Sequence, residues 1–261
     1  MSPDLPFPVI NGPTWSGVNY FCTTRQGGFS QADRASFNLG FNTAEPDATT
    51  QANRRVLHDH LPTAPLWLEQ VHGCAVVDAD QMALGAVSVQ RPKADAAVTA
   101  TPGCVLAVLT ADCLPVVISD DKAGVLGVAH AGWRGLAAGV LEATLMRMRQ
   151  RAPHAGGWRA WIGPGISQAH FQVGADVYQA FVNADAQAAR YFLTQPAVNG
   201  SAKWLADLPG LAARRLAQAG VNDVTLSARC TYEEPDVFYS YRLNPGTGRM
   251  ATVAWLDRAG S

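Results

Sequence analysis

Apolar and polar positions in this chain fall into short blocks whose period switches between two and about 3.6 residues. Residues 18–23 (VNYFCT) predict a strand running into the Gly27–Gly28 turn, and 48–60 predicts a helix with Asp47 as its N-cap. A strand over 66–71 stops at His72–Gly73, and 75–78 continues beyond that turn. The apolar middle of the chain predicts strands at 94–99, 105–109, 116–119 and 125–129, punctuated by Pro102–Gly103 and Gly124. A second helix is expected over 136–149, with Leu136, Val140, Leu141 and Leu145 on one face. Residues 158–162 read as a strand ending at Gly163-Pro164-Gly165. A third helix, 208–219, follows Asp207 as N-cap and stops at Gly220. Strands near 225–228 and 251–255 complete the pattern. Strands and helices alternate throughout, which predicts a mixed α/β architecture. The most linker-like stretch, 85–92, is too short to divide the chain, so one domain over 1–261 is expected.

Composition adds exclusions. With 48% hydrophobic and 16% charged residues the chain has enough apolar material for a substantial core. A formal net charge of -1 gives no general attraction to nucleic acid or to anionic membrane, although a local cationic pocket for phosphate stays open. The first residues show no basic segment followed by an apolar run, and no window of about 18 uninterrupted apolar residues exists. Five cysteines in an odd set without a CxxC pair suit free thiols in a reducing compartment, so a cytoplasmic location is expected. No obligate protein partner is evident.

Three polar groups interrupt the strand pattern at places where α/β proteins put sites. His72 ends one strand beside Gly73, Asp112 and Cys113 split an apolar run, and His130 ends another strand before a Gly-Trp-Arg-Gly turn. Two imidazoles and a thiolate fill three corners of a tetrahedral zinc site and leave one open, where zinc lowers the pKa of water toward ~7. Copper accepts the same ligands. Taken singly, each residue also has a structural reading: a strand-end histidine, a buried small thiol. Arg134 in the 132–135 turn, and Arg25 before Gly27–Gly28, read as anion-binding cations or as ordinary surface pairs.

The runs LEQVHG (68–73), TADCLPVVISD (110–120) and AHAGWRGL (129–136) resemble the signature blocks of the YfiH/DUF152 family, also labelled laccase-domain or multicopper polyphenol oxidase. TTRQGGFS (23–30), ASFNLGFN (35–42), NRRVL (53–57), WIGPGIS (161–167) and the block 230–256 follow in order. The resemblance spans nearly the whole chain. It implies an α+β fold, a layered α/β/β/α sandwich of mixed sheets like that of the Cys/His site of cytotoxic necrotizing factor toxins. It implies a zinc site at His72, Cys113 and His130. It also implies purine nucleoside chemistry: phosphorolysis of adenosine, inosine, guanosine and methylthioadenosine, with adenosine deamination. Some bacterial members are linked instead to peptidoglycan editing. One departure is that GPGISQAHFQVG has Ala169 and His170 where the family often carries a cysteine pair, and a packing role is expected for His170.

On that basis Cys113, His130, His72 and Asp112 are the expected catalytic group. Asp112 acts as proton shuttle or as a carboxylate orienting a metal-bound histidine, and Glu69 is a weaker candidate for the shuttle. Arg25 and Arg134 are expected to hold phosphate, and Asn38 a ribose hydroxyl or the base. The alternatives are a copper-dependent phenol oxidase, for which six histidines are few, a cysteine hydrolase using Cys113 and His130, and a non-catalytic protein of cell-wall metabolism.

Overall fold

The computed structural model describes residues 5–41, 43–82 and 91–257; of the linker-like stretch, 85–90 lies outside the described residues. The chain runs through β1 (Val9–Ile10), β2 (Val18–Thr23), α1 (Asp47–His58), β3 (Val76–Asp78), β4 (Ala96–Thr99) and β5 (Leu106–Thr110). Next come β6 (Leu114–Asp120), β7 (Leu126–Ala131), α2 (Trp133–Ala138), α3 (Val140–Arg151), β8 (Trp158–Ile162) and β9 (Gln172–Val173). It ends with α4 (Ala175–Val182), β10 (Phe192–Val198), β11 (Ser201–Ala206), α5 (Leu208–Gln218), β12 (Asp223–Leu226) and β13 (Met250–Leu256).

Two sheets form the body. One has the order β1-β2-β13-β5, the other β12-β8-β6-β7-β4-β3, and a small sheet β10-β11-β9 stands apart. Side-chain alternation assigns their faces. Val18, Tyr20, Leu106, Val108 and Ala254 of the first sheet meet Ala97, Val117, Leu126, Val128 and Trp161 of the second, forming the core between the sheets. The neighbouring residues Ala96, Val98, Val116, Ala129 and Ile162 point the other way and pack on Val140, Leu141 and Leu145 of α3 and Leu211 of α5. The outer face of the first sheet is covered by Phe37 and Leu39 of the preceding loop and by Leu57 of α1. The result is the α/β/β/α layering, an α+β fold with mixed sheets. No helix among the described residues is long and apolar enough to cross a membrane.

Several sequence expectations shift. The segment 66–71 is not a regular strand; its backbone pairing with neighbouring segments is limited to isolated bridges at Leu66 and Glu69. The Gln70 side chain replaces the ladder. Its Nε2 donates to the Leu109 carbonyl at 2.8 Å and its Oε1 accepts the Leu109 amide at 2.7 Å, so an amide side chain pairs with the free edge of β5. Asp47 opens α1 rather than capping it, with Pro46 at the cap position. The single helix expected over 136–149 is two helices that meet at Gly139, whose φ of 94° is left-handed. The alternating pattern did not announce α4 or the hairpin β10–β11, whose exposed strands carry few core residues.

Gly139 gives a direct test. A Cβ there would meet Glu142 Oε2 only at an ordinary 3.6 Å, so Gly139→Ala costs backbone strain alone. Loss of about 1–2 kcal/mol is expected from denaturant unfolding, with the slope unchanged.

Candidate metal centre

The site lies where the chain crosses from one sheet to the other. β5 ends at Thr110 in the first sheet and β6 begins at Leu114 in the second, and Asp112, in a left-handed conformation with φ 85°, makes the turn between them. Cys113 therefore stands at the head of β6, with the parity of Pro115 and Val117 and thus on the between-sheet side. β7 runs antiparallel beside β6 with Pro115 opposite His130, which puts His130 on the same side as Leu126 and Val128. His72, with φ 59°, sits on the turn after the segment tied down by Gln70. The donor atoms of His72, Cys113 and His130 all lie within 4.8 Å of one another. Cys113 Sγ is 4.0 Å from His72 Nε2, and the two imidazoles meet edge to face at 4.8 Å between centroids.

Asp95 organises this group. It is fully buried one residue before β4, and its main-chain carbonyl accepts the His130 amide at 2.7 Å. Its carboxylate accepts His130 Nδ1–H at 2.8 Å and the amides of Val71, His72 and Gly73 at 3.1, 2.9 and 2.7 Å. One side chain thus fixes the tautomer of His130, leaving Nε2 for the centre, and anchors the turn that carries His72. Burial pushes the Asp95 carboxyl up, but His130 and the turn amides together hold it below the usual range. The sequence reading missed this residue. The available signal was a lone carboxylate at the opening of the apolar run 94–99.

The centre fits a metal ion on geometry and on chemistry. Gly132 stands against all three ligands, and a Cβ there would come within 2.9 Å of both Cys113 Sγ and His72 Cδ2 and 3.7 Å of His130 Cε1. Gly135 likewise lets α2 press on the His72–Gly73 turn, since a Cβ would meet the Gly73 carbonyl at 2.7 Å. Burial pushes the Cys113 thiol up, but the charge of His130 and hydrogen bonds from both histidines win and bring it down to about 6. For His130 burial acts downward, yet Cys113 and Asp95 raise it to about 9. Near neutral pH the metal-free pair is a thiolate beside an imidazolium, which is the charge-separated form a soft cation displaces.

The other expected site residues divide. Arg134 and Glu69 line the cavity above the centre, a space of about 590 Å³ bounded also by Phe41, Trp133, Phe171 and Tyr241. Asp112 lines it too; its Oδ1 accepts Thr231 Oγ1–H and its Oδ2 the Arg242 amide, each at 2.6 Å, and it makes no hydrogen bond to a histidine among the described residues. Arg25 is not among the residues lining the cavity. Its guanidinium is taken by the carbonyls of Ala35, Pro235 and Asp33 at 2.8, 2.6 and 3.5 Å, away from the cavity lining. Asn38 is not among the lining residues either. Fully buried, it accepts the Gly40 and Arg249 amides at 2.9 Å and donates to Gly40, Thr43 and Glu45. His170 pairs with Glu233 at 2.8 Å and stacks on Tyr232.

Residues 19–257 match the family described as multi-copper polyphenol oxidoreductase laccase. The chain belongs to that family. Within it, the chain is 41% identical over 249 residues to the Escherichia coli protein named purine nucleoside phosphorylase YfiH, covering 94% of this chain and 97% of that one. A Pseudomonas aeruginosa protein, also named a purine nucleoside phosphorylase, is 40% identical over 257 residues, covering 98% of each. Among solved structures, a Neisseria meningitidis protein of the DUF152 family superposes with a TM-score of 0.86 at 40% identity, covering 97% of this chain and all of that one. A Bacillus licheniformis YfiH protein gives 0.85 at 26% identity, covering 97% and 98%. The YfiH/DUF152 resemblance read from the sequence holds. The "multi-copper" in the family's description finds a single group here: the described residues contain one set of three or more His, Cys, Asp or Glu side chains close enough to share an ion.

Two measurements follow. Asp95→Asn sets an amide NH₂ against the donors of the 71–73 turn and leaves one acceptor where two served. Metal affinity, read by competition with a chelator on folded protein, should fall about 10- to 100-fold. Since Cys113 has its proton off and His130 has its proton on around neutral pH, uptake of a divalent metal should release about one proton, from His130. Affinity then weakens as pH falls from about 9 and more steeply below about 6, where the thiolate is lost as well. Calorimetry in buffers of different ionisation enthalpy reads the proton count.

Proposed function

We propose that this protein is a zinc enzyme acting on purine nucleosides, by phosphorolysis of adenosine, inosine, guanosine or methylthioadenosine and by deamination of adenosine. The observation that carries the reading is the convergence of His72, Cys113 and His130 on the floor of a cavity sized and lined for a nucleoside. The names of the relatives point to the same substrates. When bound, the metal supplies Lewis-acid polarisation and charge neutralisation.

The chain's own residues supply the rest. Phe41, Trp133, Phe171 and Tyr241 offer faces for a planar base and keep water from it. Asp95 holds His130 so that its Nε2 addresses the reaction centre in a single orientation. Arg134, exposed on the rim over the face of Trp133, is available to an anionic co-substrate. In phosphorolysis a phosphate oxygen bonds to C1′ while the C1′–N9 bond breaks, the pair passing to the purine, which takes up a proton. In deamination water adds at C6 and ammonia leaves. Two carboxylates stand at the cavity wall for the proton transfers: Asp112, held by Thr231 and Arg242, and Glu69, half-exposed and 3.8 Å from Lys93.

A second reading is favoured by one feature. Cys113, His130 and Asp95 form a nucleophile, base and orienting carboxylate in series, the arrangement of a cysteine hydrolase.

One experiment separates them. Protein purified without added metal is analysed for metal and incubated with adenosine and phosphate, before and after chelation and thiol alkylation. About one zinc per chain is expected, with adenine and ribose 1-phosphate, inosine, or both as products. His72→Ala should lose metal and turnover together; zinc retained while turnover disappears counts against His72 as a ligand. Activity that survives chelation but not alkylation transfers the case to the hydrolase.

A further inference from the structure

Four arginines, Arg91, Arg134, Arg242 and Arg249, line the cavity against two carboxylates, Glu69 and Asp112, in a chain whose formal net charge is only -1. None of the four is in an ion pair among the described residues. Cations outnumber carboxylates in this lining.

Two of these arginines are built alike. In Arg249, Nη1 donates to the carbonyls of Thr247 and Gly248, both at 2.9 Å, and the backbone amide is held by Asn38 Oδ1. Its stem lies on Gly40, where a Cβ would come within 2.7 Å of Arg249 Cγ. In Arg242, Nη1 faces the carbonyls of His170 and Gln172 at 3.4 and 3.1 Å, and the amide is held by Asp112. In both, the Nη1 end is spent on main-chain carbonyls. The Nε–Nη2 edge, which carries three N–H groups, has no acceptor among the described residues. That edge pairs side-on with two oxygens of a phosphoryl group. For Arg249 neither atom of the edge is sealed from solvent. Arg249 and Cys113 line the same cavity, and burial draws the Arg249 guanidinium below its ordinary range.

We propose that Arg249 and Arg242 form an oxyanion subsite, in the cavity that Cys113 also lines, that takes a phosphoryl group, with Arg249 as its fixed member. The subsite deepens the phosphorylase reading and rests on it for the source of the anion. Under that reading the anion is inorganic phosphate, whereas a phosphate ester on a nucleoside presents the same oxygens.

The test measures binding of inorganic phosphate and of adenosine 5′-monophosphate to the protein as purified, by calorimetry, for wild type, Arg249→Gln and Arg249→Lys. KM values for phosphate and adenosine are taken alongside. Arg249→Gln should weaken anion binding about tenfold or more and raise the KM for phosphate in step, because a charge-assisted fork is lost. The KM for adenosine and the metal content should stay within about twofold. Arg249→Lys keeps the charge but not the fork and should recover part of the affinity. Arg249-dependent binding of phosphate alone identifies the free anion as ligand; the same dependence for the monophosphate identifies an ester. Equal affinities in wild type and Arg249→Gln, or no binding of either ligand by wild type, overturns the subsite. Arg249-dependent anion binding without any ribose 1-phosphate overturns the phosphorylase reading and leaves the subsite standing.

Discussion

The buried carboxylate of Asp95 is the constraint on which the rest of the centre depends. Four N–H groups converge on it, three from the turn 71–73 and one from the His130 ring. A charge buried to that depth is tolerated only when its lone pairs are satisfied, and here the groups that satisfy it support the two histidines of the candidate metal centre. Moving either histidine would strip a buried carboxylate of a donor. The cost of that loss holds the His130 ring and the backbone of the turn that carries His72, an exposed residue, in a defined position.

Sheet geometry sets up the pairing. The β4–β7 register places Ala96 opposite Ala129, so Asp95 falls opposite His130 on the same face. The β6–β7 register carries that alignment one strand further, to the head of β6 and Cys113. The face they share is the one that packs against the other sheet, so the polar cluster occupies the end of the between-sheet core, where the layers open. Glycine completes it. Without a side chain at position 132 the three donors can close around one point, and without one at 135 the first turn of α2 can sit on the histidine turn.

What the sequence revealed follows from this geometry. Period-two runs with a continuous buried face, such as 125–129 and 158–162, were legible because each strand must bury its face whatever its partners. His72 and His130 stood out because they end such runs at glycine turns, and Cys113 because it splits one. Asp95 did not, because its meaning lies in a register between strands that the local pattern does not encode. The segment 66–71 was misread for a related reason: an alternating stretch can lie along a sheet edge with a glutamine side chain standing in for the ladder. Arg25 and Asn38 lie in blocks that resemble the family as strongly as the ligands do, but their hydrogen bonds go into shaping the wall of the site. A motif marks constraint, and both contact with a ligand and support of the wall produce constraint.

Asn38 connects that supporting layer to the cavity. It receives the amides of Gly40 and Arg249 on one oxygen and returns hydrogen bonds to the loop that carries Phe41. An aromatic wall from the N-terminal third and a cation from the last tenth of the chain are thereby set against each other. β13, which begins directly after Arg249, pairs with both β2 and β5, so the C-terminal strand inserts between elements formed much earlier in the sequence. Thr231 and Arg242, from the same terminal stretch, fasten the Asp112 turn that presents Cys113. The segment that brings the arginines therefore also fixes the thiolate. Contacts of such long sequence separation form at a high entropic cost, and coupling them to the insertion of one central strand means that ligand, cation and wall come into register together.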